Sequence, residues 1–577
     1  MSTPINIAPT ALIESLRGLV PTVLIESLRD FSPAALLNLL QQQPPTKTIA
    51  TAIALIAAYH VYFNELELNK PKQYRNIPKV NGYHVLFYML KGESFPRRYE
   101  YCRELTEANG IIRTNNLQNA ILASSRLMRR QFRTLGTDFV TIGSAELARE
   151  FLHDTDTFRK LTFSEDLGEK HLTTKFLGQT SVLLSNGNIW KRHRKIANPA
   201  FHKSWNTDVF GGVSARLGRE VDRLTKEEGI DVGVEVHKLM QRLTLDALGL
   251  AAFGFDFQSI ENPNGPYVSV YNHLAEAITD ATYFLFPVID RYPIGSRARL
   301  HEEIKIFDKL IFDIIDSKRE QIRKQGDDFD EASADLLTMM IRATDQESPE
   351  KGLSKKELRD NMSVFFLAGH DTTANALACA FYYLAANPAV QSKARAEILS
   401  VMGDRDSDPD PDTIPTIEQT KSFVYVNLVM KESMRLSPSV VQLPARTVDN
   451  DTVLGEYLIP KHTQVLLNIY SIHHNPKYWG KDVEEFRPER FEDESKRDPL
   501  AWLPFSSGSR SCIGTNFSLI EQRVVLAMFR KSHHSFSSFS RLPTWHAAHP
   551  LISSILLSTQ SVNTSSTYPP THRAKMA

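Results

Sequence analysis

Phe505-Ser-Ser-Gly508-Ser-Arg510-Ser-Cys512-Ile-Gly514 is the stretch that decides how this chain is read. It sets one cysteine among glycines and an arginine, just ahead of a helical run over residues 518–530. A thiolate that acts as a ligand needs electropositive surroundings and hydrogen-bond donors to stay ionised. The amides at the start of the following helix lie close enough to supply both. Gly508 and Gly514 carry no side chain, so the backbone there can approach a bound group closely. Arg510 can form a charge-assisted hydrogen bond to a carboxylate. Phe505 can shield the sulfur from water. The alternative is a buried, inert thiol, the usual fate of a free cysteine.

The composition around this loop narrows the options. The chain has 577 residues, of which 42% are hydrophobic, enough for a large buried core. Lys+Arg and Asp+Glu both number 67, and that balance gives no reason to expect a nucleic-acid partner. The three cysteines, Cys102, Cys379 and Cys512, are odd in number and far apart, which argues against a disulfide framework and for a reducing compartment. Long helical periodicities dominate from about Tyr83 onward. Helices are expected over residues 355–386, 388–403 and 416–436, with short extended pieces near 138–142 and 455–467 and an acidic, proline-containing loop at 404–412. No linker divides this body, so it reads as one large domain.

Four further motifs precede the cysteine loop. Ala368-Gly369-His370-Asp371-Thr372-Thr373 lies inside the helix expected over 355–386. Threonine in mid-helix can bond the carbonyl four residues back, here that of Ala368, and Gly369 weakens the helix further. A local opening can then hold water. Glu432-Ser-Met-Arg435 places two opposite charges three apart on a helix, where they can pair. Phe486-Arg-Pro-Glu-Arg490-Phe adds another arginine, and Trp190-Lys-Arg-His-Arg194 sets an indole N–H beside a guanidinium, both pure donors suited to a carboxylate. Alone, each of these would more often be solvated surface charge or ordinary core.

Together, in this order, they resemble the cytochrome P-450 superfamily of haem-thiolate monooxygenases, of the eukaryotic microsomal type. The resemblance runs from about Tyr83 to Arg530. It implies a mainly α fold with small β sheets, in a single large domain over residues 83–530. It implies haem b, with Cys512 as the thiolate ligand to iron and Trp190, Arg194, Arg446, Phe505, Gly508, Arg510 and Gly514 around the cofactor. Asp371 and Thr372 would relay protons to the oxygen being activated, with His370 at a variable position of the motif. Glu432, Arg435 and Arg490 would form a buried structural charge network. Phe365, Phe366, Ala368 and Val441 would line an apolar substrate pocket. The implied reaction inserts one atom of O₂ into an apolar organic substrate. Electrons would come from NADPH through a separate flavoprotein reductase, with cytochrome b5 as a further donor, because no flavin or nicotinamide segment is present in the chain. A reductase-independent isomerase or dehydratase and an inactive paralogue are the alternatives.

The two ends are less regular. TIATAIALIAAYHVYF (residues 48–63) is apolar; at 1.5 Å per residue it spans roughly 24 Å against a bilayer core of about 30 Å. Lys70, Lys72, Arg75 and Lys79 follow it, a bias that puts the body in the cytoplasm. Residues 47–65 therefore read as a single-pass anchor in the endoplasmic reticulum membrane, or else as a buried helix of the main domain. Before it, residues 1–46 form a leader in which LIESLR occurs at 12–17 and again at 24–29; residues 66–82 form a hinge. Residues 531–577 are rich in Ser, Thr and His and depart from the family's usual end.

Overall fold

The computed structural model describes residues 74, 76–80, 95–114, 139–203, 205–228, 235–278, 280, 283, 287, 289–325, 334–348, 351–403, 410 and 412–532. Residues up to Arg75 and those from Asn76 onward form two separate units, and the helices and sheets around the site belong to the second. The expected leader and anchor, most of the hinge, and nearly all of the 531–577 tail lie outside the described residues. Among the described residues no helix is long and apolar enough to cross a membrane.

The second unit is mainly helical with small sheets. The helices that position the site are α1 Phe95–Asn109, α2 Ala145–His153, α3 Gly187–His202, α4 Val236–Leu248, α5 Pro266–Ala277, α6 Gly295–Gln325, α7 Lys355–Ala386, α8 Pro388–Met402, α9 Val424–Leu436 and α10 Thr515–Ser532. The axis of the fold is α7. It starts in a capping box, in which Ser354 and Glu357 satisfy each other's backbone N–H groups, and it ends at Asn387. Pro388 cannot continue the helix and instead opens α8. Between 358 and 381 every residue of α7 is buried except Ala368, Gly369 and Thr372. A helix that is hydrophobic on nearly all sides belongs at the centre of a large core. The single accessible notch is the motif singled out from sequence.

The helix expected over 416–436 is two helices, Ile417–Ser422 and α9, broken at Phe423. The cause is the Glu397 carboxylate of α8, which accepts from the Tyr425 and Val426 N–H groups at 2.7 and 2.9 Å. These donors start a new helix and are satisfied from outside it. Fully buried Phe423 pins the corner.

One mixed sheet has the strand order β1-β2-β3-β8-β5-β4 (Lys79–Val80, Ile111–Thr114, Phe139–Ile142, Gln464–Leu467, Arg446–Val448, Phe158–Lys160). The extended piece expected over 455–467 splits into β7 (Tyr457–Ile459) and β8, and β7 pairs with β6 (Thr452–Leu454) in a separate hairpin. Its two-residue turn opens on Gly455 at φ +59°, where glycine carries no steric penalty. The β4–β5 register sets Lys160 directly opposite Arg446. Two cations facing each other across an antiparallel pair repel, so the pairing points to an anion.

Candidate active site

The cysteine loop is closed on itself. Cys512 N–H donates to the Phe505 carbonyl at 2.9 Å, and Ser511 N–H to the Gly508 carbonyl at 3.0 Å. Gly508 has φ +73°, and a Cβ there would lie 2.8 Å from His153 and 3.1 Å from the Leu152 carbonyl oxygen. That glycine is thus required by its own backbone and by the end of α2, rather than by room for a bound group. Gly514 does sit beside the sulfur: its Cβ position is 3.9 Å from Cys512 Sγ and 3.9 Å from Phe201. Cys512 is exposed, whereas Cys379 is buried. Although the residue keeps surface, the protein packed around it displaces water and raises the Cys512 thiol above its ordinary range, while the Gly514 N–H, Thr515 and Arg194 pull it down. Arg194 also anchors the loop, donating to the Ser511 carbonyl at 3.0 Å.

Around the loop stands a group of cations. Arg510 stacks 3.9 Å above the Trp190 ring and donates to the Ser185 carbonyl, but its Nε and Nη1 are buried without a partner. Arg446 lies 4.7 Å over Phe151 and donates to the Phe151 carbonyl at 2.7 Å. Burial, then repulsion from Arg446 and Arg510, lowers Lys160 to about 7. Burial lowers Arg446 to about 10; burial, then Arg446 and Arg194, lowers Arg510 to about 9. Among the described residues Lys160, Arg194, Arg446 and Arg510 form no ion pair. Cations gathered this closely, with Arg446 buried and the others half-buried, favour an anion among them. The donor set fits haem b: a thiol for iron at Cys512, and cations with unspent N–H groups for two propionates. Lys160 belongs to this set and the sequence reading missed it. No motif marks it, and only the pairing with β5 would have.

On α7, Thr372 Oγ1 donates back to the Ala368 carbonyl at 2.6 Å, as expected for mid-helix threonine. The helix nevertheless runs on without a break, so the expected opening is confined to that hydrogen bond. Ser439 Oγ, in the segment after α9, donates to the Thr372 carbonyl at 2.7 Å. Gly369 has a packing reason beyond low helix propensity: a Cβ there would meet Leu248 of α4 at 3.1 Å. Asp371 is buried and does not bond Thr372. Its Oδ1 accepts from Gln241 Nε2 of α4 at 2.9 Å. Asp371 thus takes this hydrogen bond from α4, while Thr372 Oγ1 is spent on its own helix.

The charge network is assembled around Glu432. Arg435 Nε and Nη2 reach its two carboxylate oxygens at 2.7 and 2.9 Å, and Arg490 Nε reaches Oε1 at 3.0 Å. The Arg487 N–H donates to the same carboxylate at 3.0 Å. Glu432 and Arg435 are fully buried. Arg490 is also held by Asp482 at 3.0 Å.

Two expected pocket residues point elsewhere. Phe366 is fully buried, stacked on Phe253 at 4.3 Å and flanked by Phe257 and Tyr271. It lies one position from Phe365 and hence about 100° around the helix, away from the notch. Phe365 stands one turn before Ala368 and Gly369 on the notch side and packs against Phe201 of α3 at 5.0 Å. Val441 is buried against Tyr99 and Tyr470, while Val440 and Leu443 on either side keep accessible surface.

The family model for cytochrome P-450 matches residues 130–532. The chain is 31% identical over 411 residues to the chloroplastic Protein Lutein Deficient 5 of Arabidopsis thaliana, covering 68% of this chain and 64% of that protein. It is 31% identical to cytokinin hydroxylase of the same plant, over 62% of this chain and 66% of that one. Against human cytochrome P-450 4F8 it is 30% identical, over 68% and 75% respectively. The matched stretch thus spans a little under two thirds of the first two relatives. A thiol at Cys512, the cations that surround it, and a family match over most of the chain lead to one conclusion: this protein belongs to the cytochrome P-450 family, and its cofactor is haem b.

Proposed function

We propose that the chain is a haem-thiolate monooxygenase that inserts one oxygen atom from O₂ into an apolar organic molecule. Electrons come from NADPH through a separate flavoprotein reductase. The observation that carries this reading is the exposed thiol of Cys512, with Arg194 and Arg510 at its loop and Arg446 and Lys160 beside Arg510, none of which forms an ion pair among the described residues. When bound, thiolate-ligated haem supplies the activation of O₂. The residues of the chain do the rest. Cys512 provides the sulfur, and the Gly514 N–H and Arg194 favour its ionised form. Arg446, Arg510 and Lys160 bind the propionates. The Ala368–Thr372 notch is the face of α7 turned to the reaction, with Thr372 Oγ1 and Asp371 holding and passing protons there.

Phe365, Ala368, Val440 and Leu443 present apolar surface to the substrate. Hydroxylation of a hydrophobic molecule suits this lining; the name of one relative, cytokinin hydroxylase, states a hydroxylation for that protein. We place the chain in the endoplasmic reticulum membrane, anchored through residues 47–65, and fractionation of a tagged full-length chain tests this. The catalytic reading is tested by reducing the protein, adding carbon monoxide and recording the difference spectrum. The strongly red-shifted Soret band of a thiolate-ligated haem is expected, and Cys512→Ala must lose it. Turnover that persists unchanged without a reductase sinks the monooxygenase assignment in favour of an isomerase or dehydratase.

A further inference from the structure

Asp371 is held by a residue outside the motif that contains it. Gln241 and Leu248 are two turns apart on one face of α4. Leu248 fills the space left by Gly369, and Gln241 Nε2 donates to Asp371 Oδ1 at 2.9 Å. His370 Nδ1 lies 3.2 Å from the same oxygen and 3.2 Å from the Tyr271 hydroxyl of α5. Burial lowers His370 below its ordinary range, so it stays neutral near pH 7. His237, one turn before Gln241 on α4, is a further titratable group on this side. Among the described residues Asp371 Oδ2 accepts no hydrogen bond. The contacts therefore gather on one carboxylate oxygen and leave the other open. A side-chain amide suits this place, since it donates a hydrogen bond to the ionised carboxylate and does not itself titrate.

We propose that Gln241 is a positioning residue for proton transfer through Asp371. It fixes Oδ1, leaves Oδ2 as the atom that takes up and releases the proton, and sets the pH range in which it does so. The proton accepted at Oδ2 from water leaves from Oδ2 toward Thr372, so the carboxylate returns to its starting form and no electron is exchanged. This inference rests on the reading of Asp371 as a proton carrier. Removing a donor to the ionised form raises the affinity for the proton, and a second carboxyl in its place raises it further.

The test uses the full-length holoprotein and the variants Gln241→Leu, Gln241→Glu and Asp371→Asn, each first checked for the carbon monoxide band. The carboxyl band that vanishes in Asp371→Asn is titrated by infrared difference spectroscopy. Its midpoint is expected to rise by about one pH unit in Gln241→Leu and by more in Gln241→Glu. The pH profile of NADPH-driven oxygen consumption with a reductase should move the same way in Gln241→Leu, and should not move further when that change is added to Asp371→Asn. An unshifted infrared midpoint in both variants overturns the role of Gln241. If instead the midpoint shifts while Asp371→Asn leaves oxygen consumption and its pH profile untouched, Asp371 is no proton carrier and the underlying reading fails.

Discussion

Lys160 should make the hold on haem depend on pH. Without a counter-anion, burial and the repulsion of Arg446 and Arg510 lower this amine to about 7. A propionate bound beside it must raise it toward the ordinary lysine range of about 10.4. The holo form then binds one more proton than the apo form between those values. Affinity from this source is fully present below pH 7 and is lost as pH rises toward the raised value. One proton corresponds at most to tenfold per pH unit, or about 1.4 kcal/mol. Lys160 keeps some accessible surface, so we discount the full span by about half and expect a loss of about 2 kcal/mol, roughly thirtyfold, between pH 7 and 10.

The assay is haem transfer to excess apomyoglobin, compared between wild type and Lys160→Met, because the ratio cancels the acceptor's own pH dependence. Wild type should hold haem about thirtyfold more tightly than Lys160→Met at pH 7 and no better at pH 10. Lys160→Arg, whose charge does not titrate in this range, should keep the advantage throughout. A ratio that stays flat from pH 7 to 10 refutes the argument. The apo chain carries the reverse dependence. Its folded state resists charging Lys160 while the unfolded state does not, so the penalty is complete below pH 7 and fades as pH rises through the ordinary lysine range.

Three further outcomes are expected from the geometry. Thr372→Ala removes the hydroxyl that bonds the Ala368 carbonyl and should leave the carbon monoxide band intact while diverting reducing equivalents to peroxide; fully coupled hydroxylation in this variant would exclude Thr372 from the relay. Glu432→Gln leaves Arg435 uncompensated in a fully buried place and Arg490 with only Asp482, so it should cost about 3–5 kcal/mol, read as a lower denaturant midpoint together with weakened haem retention. Gly508→Ala forces a side chain into φ +73° and to within 2.8 Å of His153, which should cost at least about 1–3 kcal/mol and slow recovery of the carbon monoxide band after unfolding; stability equal to wild type would mean that the turn can relax.

The parts legible in the sequence were those written in contiguous residues. The cysteine loop, Glu432–Arg435 and the Ala368–Thr373 motif each place their groups within ten consecutive residues, and local geometry brings them together. Gln241 and Lys160 could not be read that way. Gln241 meets Asp371 across 130 positions through the packing of α4 on α7. Lys160 meets Arg446 only because β4 and β5 take one particular register. The same limit governs where Phe366 and Val441 pack. A motif fixes which segment passes the site, but the face it shows depends on the neighbour that claims each side chain. The cluster of Phe253, Phe257 and Tyr271 claims Phe366, and Tyr99 with Tyr470 claims Val441. The break at Phe423 has the same origin, since the carboxylate that starts α9 belongs to α8. In each case the deciding atom sits on another element. The Gln241 variants therefore probe more than one hydrogen bond: they ask whether a contact made solely by packing governs the chemistry of a group that the motif supplies.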